Sequence, residues 1–136
     1  QQRAREQVQW GVEHKLRILA ADDNQKVLAL LKKDFARFVL EVVTCARRGE
    51  LRALLEAEPF DALAIDERLT GGSGVEFCMS IQGKYPALTR IIMTSAPTRE
   101  IVEARSHRMI DGYIVKPVSA ATLLNEIRAC RRKNKS

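Results

Sequence analysis

Soft metal ligands are scarce in this chain of 136 residues, which holds three cysteines and two histidines. Cys45, Cys78 and Cys130 are odd in number and show no C-x-x-C spacing. That argues against a disulfide framework and, with only His14 and His107 to help, against a zinc site. The thiols read as reduced, two of them core-facing, in a cytoplasmic protein. No apolar run approaches the roughly 20 residues a membrane helix needs, so no membrane span is expected. The N-terminus is polar and charged, unlike a signal peptide. There is no internal repeat and no low-complexity segment. The apolar fraction of 46% is that of a globular chain rather than a disordered one. A start at Gln1 rather than Met reads as a piece of a longer chain.

Net charge is +6, but it is unevenly placed. Residues 16–127 hold 15 basic and 15 acidic side chains, so the body is neutral. The excess lies at the ends, chiefly the five cations of Arg128–Ser136. A basic end can bind nucleic acid or an acidic membrane. It can equally be a helix C-terminus whose cations complement the dipole, followed by a linker. No helix-turn-helix pattern is present, so no direct sequence-specific DNA binding is expected. Gln1–His14 has helical composition, with Ala4, Val8 and Val12 on one stripe. It reads either as the end of a helical connector or as an arm ordered only by packing.

The body alternates strand and helix. Strands are expected at Leu16–Ala21, Val39–Thr44, Ala62–Asp66, Arg90–Thr94 and Asp111–Val115. They are short apolar runs bounded by turn residues, the mark of strands buried on both faces. Helices are expected at about Gln25–Arg37, with Val27, Leu28, Leu30, Leu31 and Phe35 inward, and at Arg47–Glu58, Val75–Lys84 and Thr98–Arg108. A last helix is capped by Ser119 and buries Leu123, Ile127 and Cys130. Five such pairs imply an α/β fold: a doubly wound (βα)5 sandwich around a five-stranded parallel sheet. Residues 16–131 form this unit, between an N-terminal arm at 1–15 and a basic tail at 132–136.

The strand ends carry the chemistry. Ile18–Ala21 runs into Asp22-Asp23, Ala62–Ile65 into Asp66, Ile91–Met93 into Thr94-Ser95, and Tyr113–Val115 into Lys116-Pro117. In open α/β sheets ligands bind at the carboxyl ends of the strands. Three carboxylates brought together repel unless a cation joins them. Hard oxygen donors suit Mg2+ or Mn2+. A lysine, a threonine hydroxyl and the glycine-rich loop Leu69–Gly74 complete an inventory that fits phosphoryl transfer, with one carboxylate as nucleophile.

The motifs A-A-D-D-N, A-I-D with glycine eight residues on, I-I-M-T-S and D-G-Y-I-V-K-P resemble the receiver domain of bacterial two-component response regulators. The resemblance spans Leu16 to about Arg131 and implies a flavodoxin-like three-layer sandwich. It implies that Asp66 is the phosphoacceptor for a histidine kinase or phosphotransfer protein. Asp23 and Asp66 would hold Mg2+ directly, Asp22 mostly through water, and the Arg68 backbone carbonyl would be a further ligand. Lys116 would pair with the phosphoryl group, and its bond to Pro117 would be cis. Thr94 would donate to the phosphoryl group, with Ser95 as the alternative hydroxyl. Tyr113 would be the aromatic switch. The output face would be built from helix four, strand five and helix five, with Ile101, Val102, Ala104, Leu124 and Arg128 as candidates. Homodimerisation through that face would follow.

Three departures stand out. Leu69-Thr70 replaces the usual Met-Pro, which implies a less rigid loop. Asn24 replaces a common acidic residue. Arg68 occupies a position that tunes phosphoryl lifetime. Two other readings remain: a phosphorylation-independent docking module, and an Asp-nucleophile phosphatase, which would need a second Asp where Arg68 stands.

Overall fold

A computed structural model describes residues 16–36 and 40–135. The expected helix at Gln1–His14 lies outside the described residues, as do Arg37 and Val39. Five strands form one parallel sheet: β1 (Leu16–Ala21), β2 (Leu40–Cys45), β3 (Ala62–Asp66), β4 (Thr89–Thr94) and β5 (Gly112–Val115), in the order β2-β1-β3-β4-β5. Five helices connect or follow them: α1 (Gln25–Phe35), α2 (Arg48–Ala57), α3 (Gly74–Ser80), α4 (Arg99–Ser106) and α5 (Ala120–Lys135). The doubly wound sandwich expected from the sequence is the fold observed.

Side-chain alternation splits the core into two layers. Ile18, Ala20, Ala62, Ala64, Ile91 and Met93 pack with Leu28, Leu31 and Phe35 of α1 and with Leu123, Ile127 and Cys130 of α5. Leu19, Ala21, Leu63, Ile65 and Ile92 point the other way, toward α2, α3 and α4. The central strands are buried on both faces, which is why they read as unbroken apolar runs. Each fully buried leucine or isoleucine contributes ~1.5–3 kcal/mol relative to exposure.

Capping sets most helix starts. Asn24 Oδ1 accepts from the Lys26 and Val27 amides at 3.0 and 3.3 Å. Thr98 Oγ1 accepts from Ile101 at 3.2 Å and caps α4. Ser119 Oγ accepts from Thr122 at 3.1 Å. Each satisfies amides that a helix start leaves without partners.

Several expectations are corrected. Leu30 lies on the outer side of α1, 67% exposed. Five apolar residues in one helix exceed the stripe that a single face can bury. α3 stops at Ser80, four residues early, where the Ser80 hydroxyl donates to the Phe77 carbonyl at 2.6 Å and the chain turns. All three cysteines are buried, not two. Burial pushes the Cys78 thiol up to about 12. Ile101, Ala104 and Leu124 are core residues, leaving Val102 and Arg128 as the exposed members of the expected output face. No helix among the described residues is long and apolar enough to cross a membrane.

Candidate functional site

Parallel register builds the site. Ala21 of β1 lies opposite Ile65 of β3, so Asp22 and Asp66 leave the sheet level with one another. Asp66 lies opposite Met93 of β4, and Thr94 lies opposite Val115 of β5, one residue before Lys116. Strand pairing continues past the strands themselves. The Asp22 amide donates to the Cys45 carbonyl at 3.0 Å, the Glu67 amide to Met93 at 2.9 Å and the Lys116 amide to Thr94 at 2.7 Å. Backbone hydrogen bonds therefore fix the positions from which the site side chains project.

Carboxylate oxygens of Asp22, Asp23 and Asp66 all lie within 4.8 Å of one another. Asp22 is buried, Asp66 half-buried and Asp23 exposed. Lys116 Nζ sits 2.8 Å from Asp66 Oδ1 and 3.3 Å from Asp22 Oδ2. The Lys116–Pro117 peptide is cis. Asp22 Oδ1 also accepts from the Asn24 amide at 2.9 Å, and Asp66 Oδ1 from the Glu67 amide at 3.1 Å. Asn24 is thus both a helix cap and a neutral neighbour to the acids.

The electrostatics leave a deficit of positive charge. Burial pushes the Asp66 carboxyl above its ordinary range; Lys116 pulls it down, and the Asp22 carboxylate adds to the rise. Burial draws the Lys116 ammonium down, but Asp66 and Asp22 outweigh it, and its pKa rises. Three carboxylates beside one ammonium leave net negative charge, which a cation would offset. The atoms that these residues offer are all hard oxygens, and one oxygen from each of three carboxylates would fit a divalent ion such as Mg2+ or Mn2+.

The loop after Asp66 is held in ways the missing proline did not suggest. Arg68–Leu69 pairs antiparallel with Gly72–Ser73. Leu69 is a core residue, 7% exposed. Arg48 donates from its amide to the Thr70 carbonyl at 3.3 Å and from Nη1 to the Gly71 carbonyl at 3.1 Å. Gly74 allows the close return: a Cβ there would lie 2.3 Å from the Asp66 carbonyl oxygen. Any side chain at position 74 would displace the end of β3.

The remaining residues are spread around this centre. Thr94 is wholly buried, and Ser95 is exposed. The Thr94 hydroxyl is hydrogen-bonded to Glu67 Oε1 and to the Ala96 carbonyl at 2.7 Å, not to Asp66. Tyr113 is half-buried against the layer of α2, α3 and α4, with the Arg105 guanidinium 5.8 Å from its ring centre. Arg68 is exposed, and its side chain makes no hydrogen bond or ion pair to a described residue. Glu67 went unnoticed in the sequence. Its signal is positional: in a parallel sheet, the residue after Asp66 falls beside the residue after Met93.

A model of the response regulator receiver domain matches residues 18–128 of this chain. The phosphate regulon transcriptional regulatory protein PhoB of Rhizobium meliloti is 30% identical over 122 residues, covering 88% of this chain and 53% of that protein. The hydrogenase transcriptional regulatory protein HoxA of Cupriavidus necator is 27% identical over 112 residues, covering 82% of this chain and 23% of that protein. The chain thus spans about half or less of the length of these relatives. Among solved structures, the CheY-like response regulator receiver domain protein of Methanospirillum hungatei is similar with a TM-score of 0.79 and 27% identity, covering 89% of this chain and 97% of that one.

Proposed function

The chain belongs to the response regulator receiver family, and on that premise we propose that Asp66 accepts a phosphoryl group from a phosphohistidine of a histidine kinase or phosphotransfer protein. Receiver domains are phosphorylation-dependent signalling modules rather than typical enzymes, and they interact with such donors. The observation that carries the assignment is the placement of Asp66, 2.8 Å from Lys116 and inside the acid cluster.

An Asp66 carboxylate oxygen attacks phosphorus, the P–N bond to the donor imidazole breaks, and the electron pair leaves with the imidazole. Asp22, Asp23 and Asp66, with the backbone carbonyl of Arg68, would hold Mg2+ or Mn2+. Bound there, the ion neutralises charge on the phosphoryl oxygens. Lys116 offers its ammonium to a phosphoryl oxygen as a point charge. Thr94 supplies a hydroxyl donor, and Tyr113 turns inward once Thr94 has moved. The output is a population shift in the α4-β5-α5 face, where Val102 and Arg128 are exposed, and that face serves partner binding or homodimerisation. Later attack by water on the acyl phosphate resets the switch, at a rate tuned by Arg68. We place the switching unit at residues 16–131 and the protein in the cytoplasm.

Borohydride reduction tests the assignment, because it converts aspartyl phosphate to homoserine. After incubation with phosphoramidate and Mg2+, peptide mapping should find homoserine at position 66. Homoserine at another position, or none, would overturn the reading.

A further inference from the structure

Thr94 is buried to 0% exposure at the end of β4, and its single hydroxyl proton is already spoken for. Two acceptors compete for it, Glu67 Oε1 and the Ala96 carbonyl at 2.7 Å, while the Ala96 amide donates to the Thr94 oxygen at 3.2 Å. The backbone on both sides is pinned. Glu67 donates its amide to Met93 at 2.9 Å, and its carbonyl accepts from Gly74 at 2.9 Å. The Thr94 carbonyl accepts from Lys116 at 2.7 Å. Neither residue can leave the other by a small backbone shift without breaking sheet pairing. Separation requires a side-chain rotation.

We propose that Glu67 is a positioning residue: it holds the Thr94 hydroxyl away from Asp66 and thereby sets the threshold at which Asp66 becomes phosphorylated. The proposal rests on the phosphoacceptor reading above. A hydroxyl bound to a carboxylate is held more strongly than one bound to a neutral acceptor. To serve a phosphoryl oxygen, Thr94 must release Glu67 and leave a half-buried carboxylate without that donor. The unphosphorylated arrangement is favoured by that difference, and a conformer ratio shifts only by the differential interaction between the two states. Removing the Glu67 acceptor should move the ratio toward the phosphorylation-competent state by about tenfold.

The test has two arms on the same proteins. The first needs neither donor nor metal: three-bond couplings to the Thr94 methyl group report its rotamer by NMR. The second measures the acetyl phosphate concentration that half-saturates the phosphoryl adduct in the presence of Mg2+. Wild-type protein should show one Thr94 rotamer. Glu67→Ala should average it and lower the half-saturating concentration about tenfold. Glu67→Gln, which keeps an acceptor but no charge, should stay nearer to wild type. In a Thr94→Ala background, Glu67→Ala should change nothing. An averaged rotamer in wild type, an unmoved rotamer in Glu67→Ala, or the full gain persisting in the Thr94→Ala background would each overturn the proposal. The last would mean that charge repulsion alone is at work. If the rotamer responds but wild-type protein takes no phosphoryl group, the phosphoacceptor reading falls and the threshold with it, while the contact stands.

Discussion

The two edges of the sheet use the same residue types in opposite ways. At the edge where the strands begin, carboxylates meet arginines. Asp61 Oδ2 accepts from the Arg17 amide at 2.8 Å, and Arg131 donates to the Asp61 carbonyl at 3.1 Å. Asp111 Oδ2 accepts from the Arg90 amide at 2.8 Å, with Arg90 Nε 3.5 Å away. Arg17 also pairs with Glu41 and Glu58. At the edge where the strands end, three aspartates cluster and Lys116 pairs with two of them, Asp66 and Asp22. Paired charge stitches a loop to a strand and is finished. Unpaired charge of one sign, kept together by backbone register, costs stability unless a ligand arrives. The lesson is that imbalance, rather than charge density, marks the working edge.

Arg90→Met should give the largest loss of stability, about 3 kcal/mol, because it takes the guanidinium from a mostly buried carboxylate. Urea denaturation would read the loss, and Mg2+ affinity should be unchanged. A matching loss of Mg2+ affinity would mean that the two edges are not independent. Gly74→Ala should cost about 1–3 kcal/mol by overpacking, since its Cβ meets the Asp66 carbonyl. Unlike Arg90→Met, it should also weaken Mg2+ binding, measurable by calorimetry. Asp23→Asn should act in the opposite sense on stability. Relieving repulsion should slightly raise the melting temperature of the metal-free protein, while the rise on adding Mg2+ should shrink or vanish. Arg68→Ala is the smallest expected effect. On the reading that Arg68 tunes phosphoryl lifetime, loss of this solvent-exposed cation should speed dephosphorylation by about fivefold or less; an unchanged decay rate would contradict that role.

The fold was legible because strands buried on both faces leave unbroken apolar runs, and because Asp22, Asp66 and Lys116 directly follow such runs. Periodicity told less about helices. Leu30 shares composition with its buried neighbours but not their side of α1. Ile101, Ala104 and Leu124 face the core, which a short stripe beside charged residues does not announce. The two-residue ladder of Arg68–Leu69 with Gly72–Ser73 is too short to leave a pattern. The Glu67–Thr94 contact depends on which residue of β3 lies against which residue of β4, and one strand's composition does not contain that register.

Intact mass after incubation with acetyl phosphate, with and without Mg2+ and beside an Asp66→Asn control, tests directly whether this edge takes a phosphoryl group. A single phosphoryl adduct that needs Mg2+ and is absent from the variant is the expected result. An adduct that forms equally without the ion, or that survives in Asp66→Asn, would contradict the claim that the unbalanced edge is a cation-dependent phosphoacceptor site.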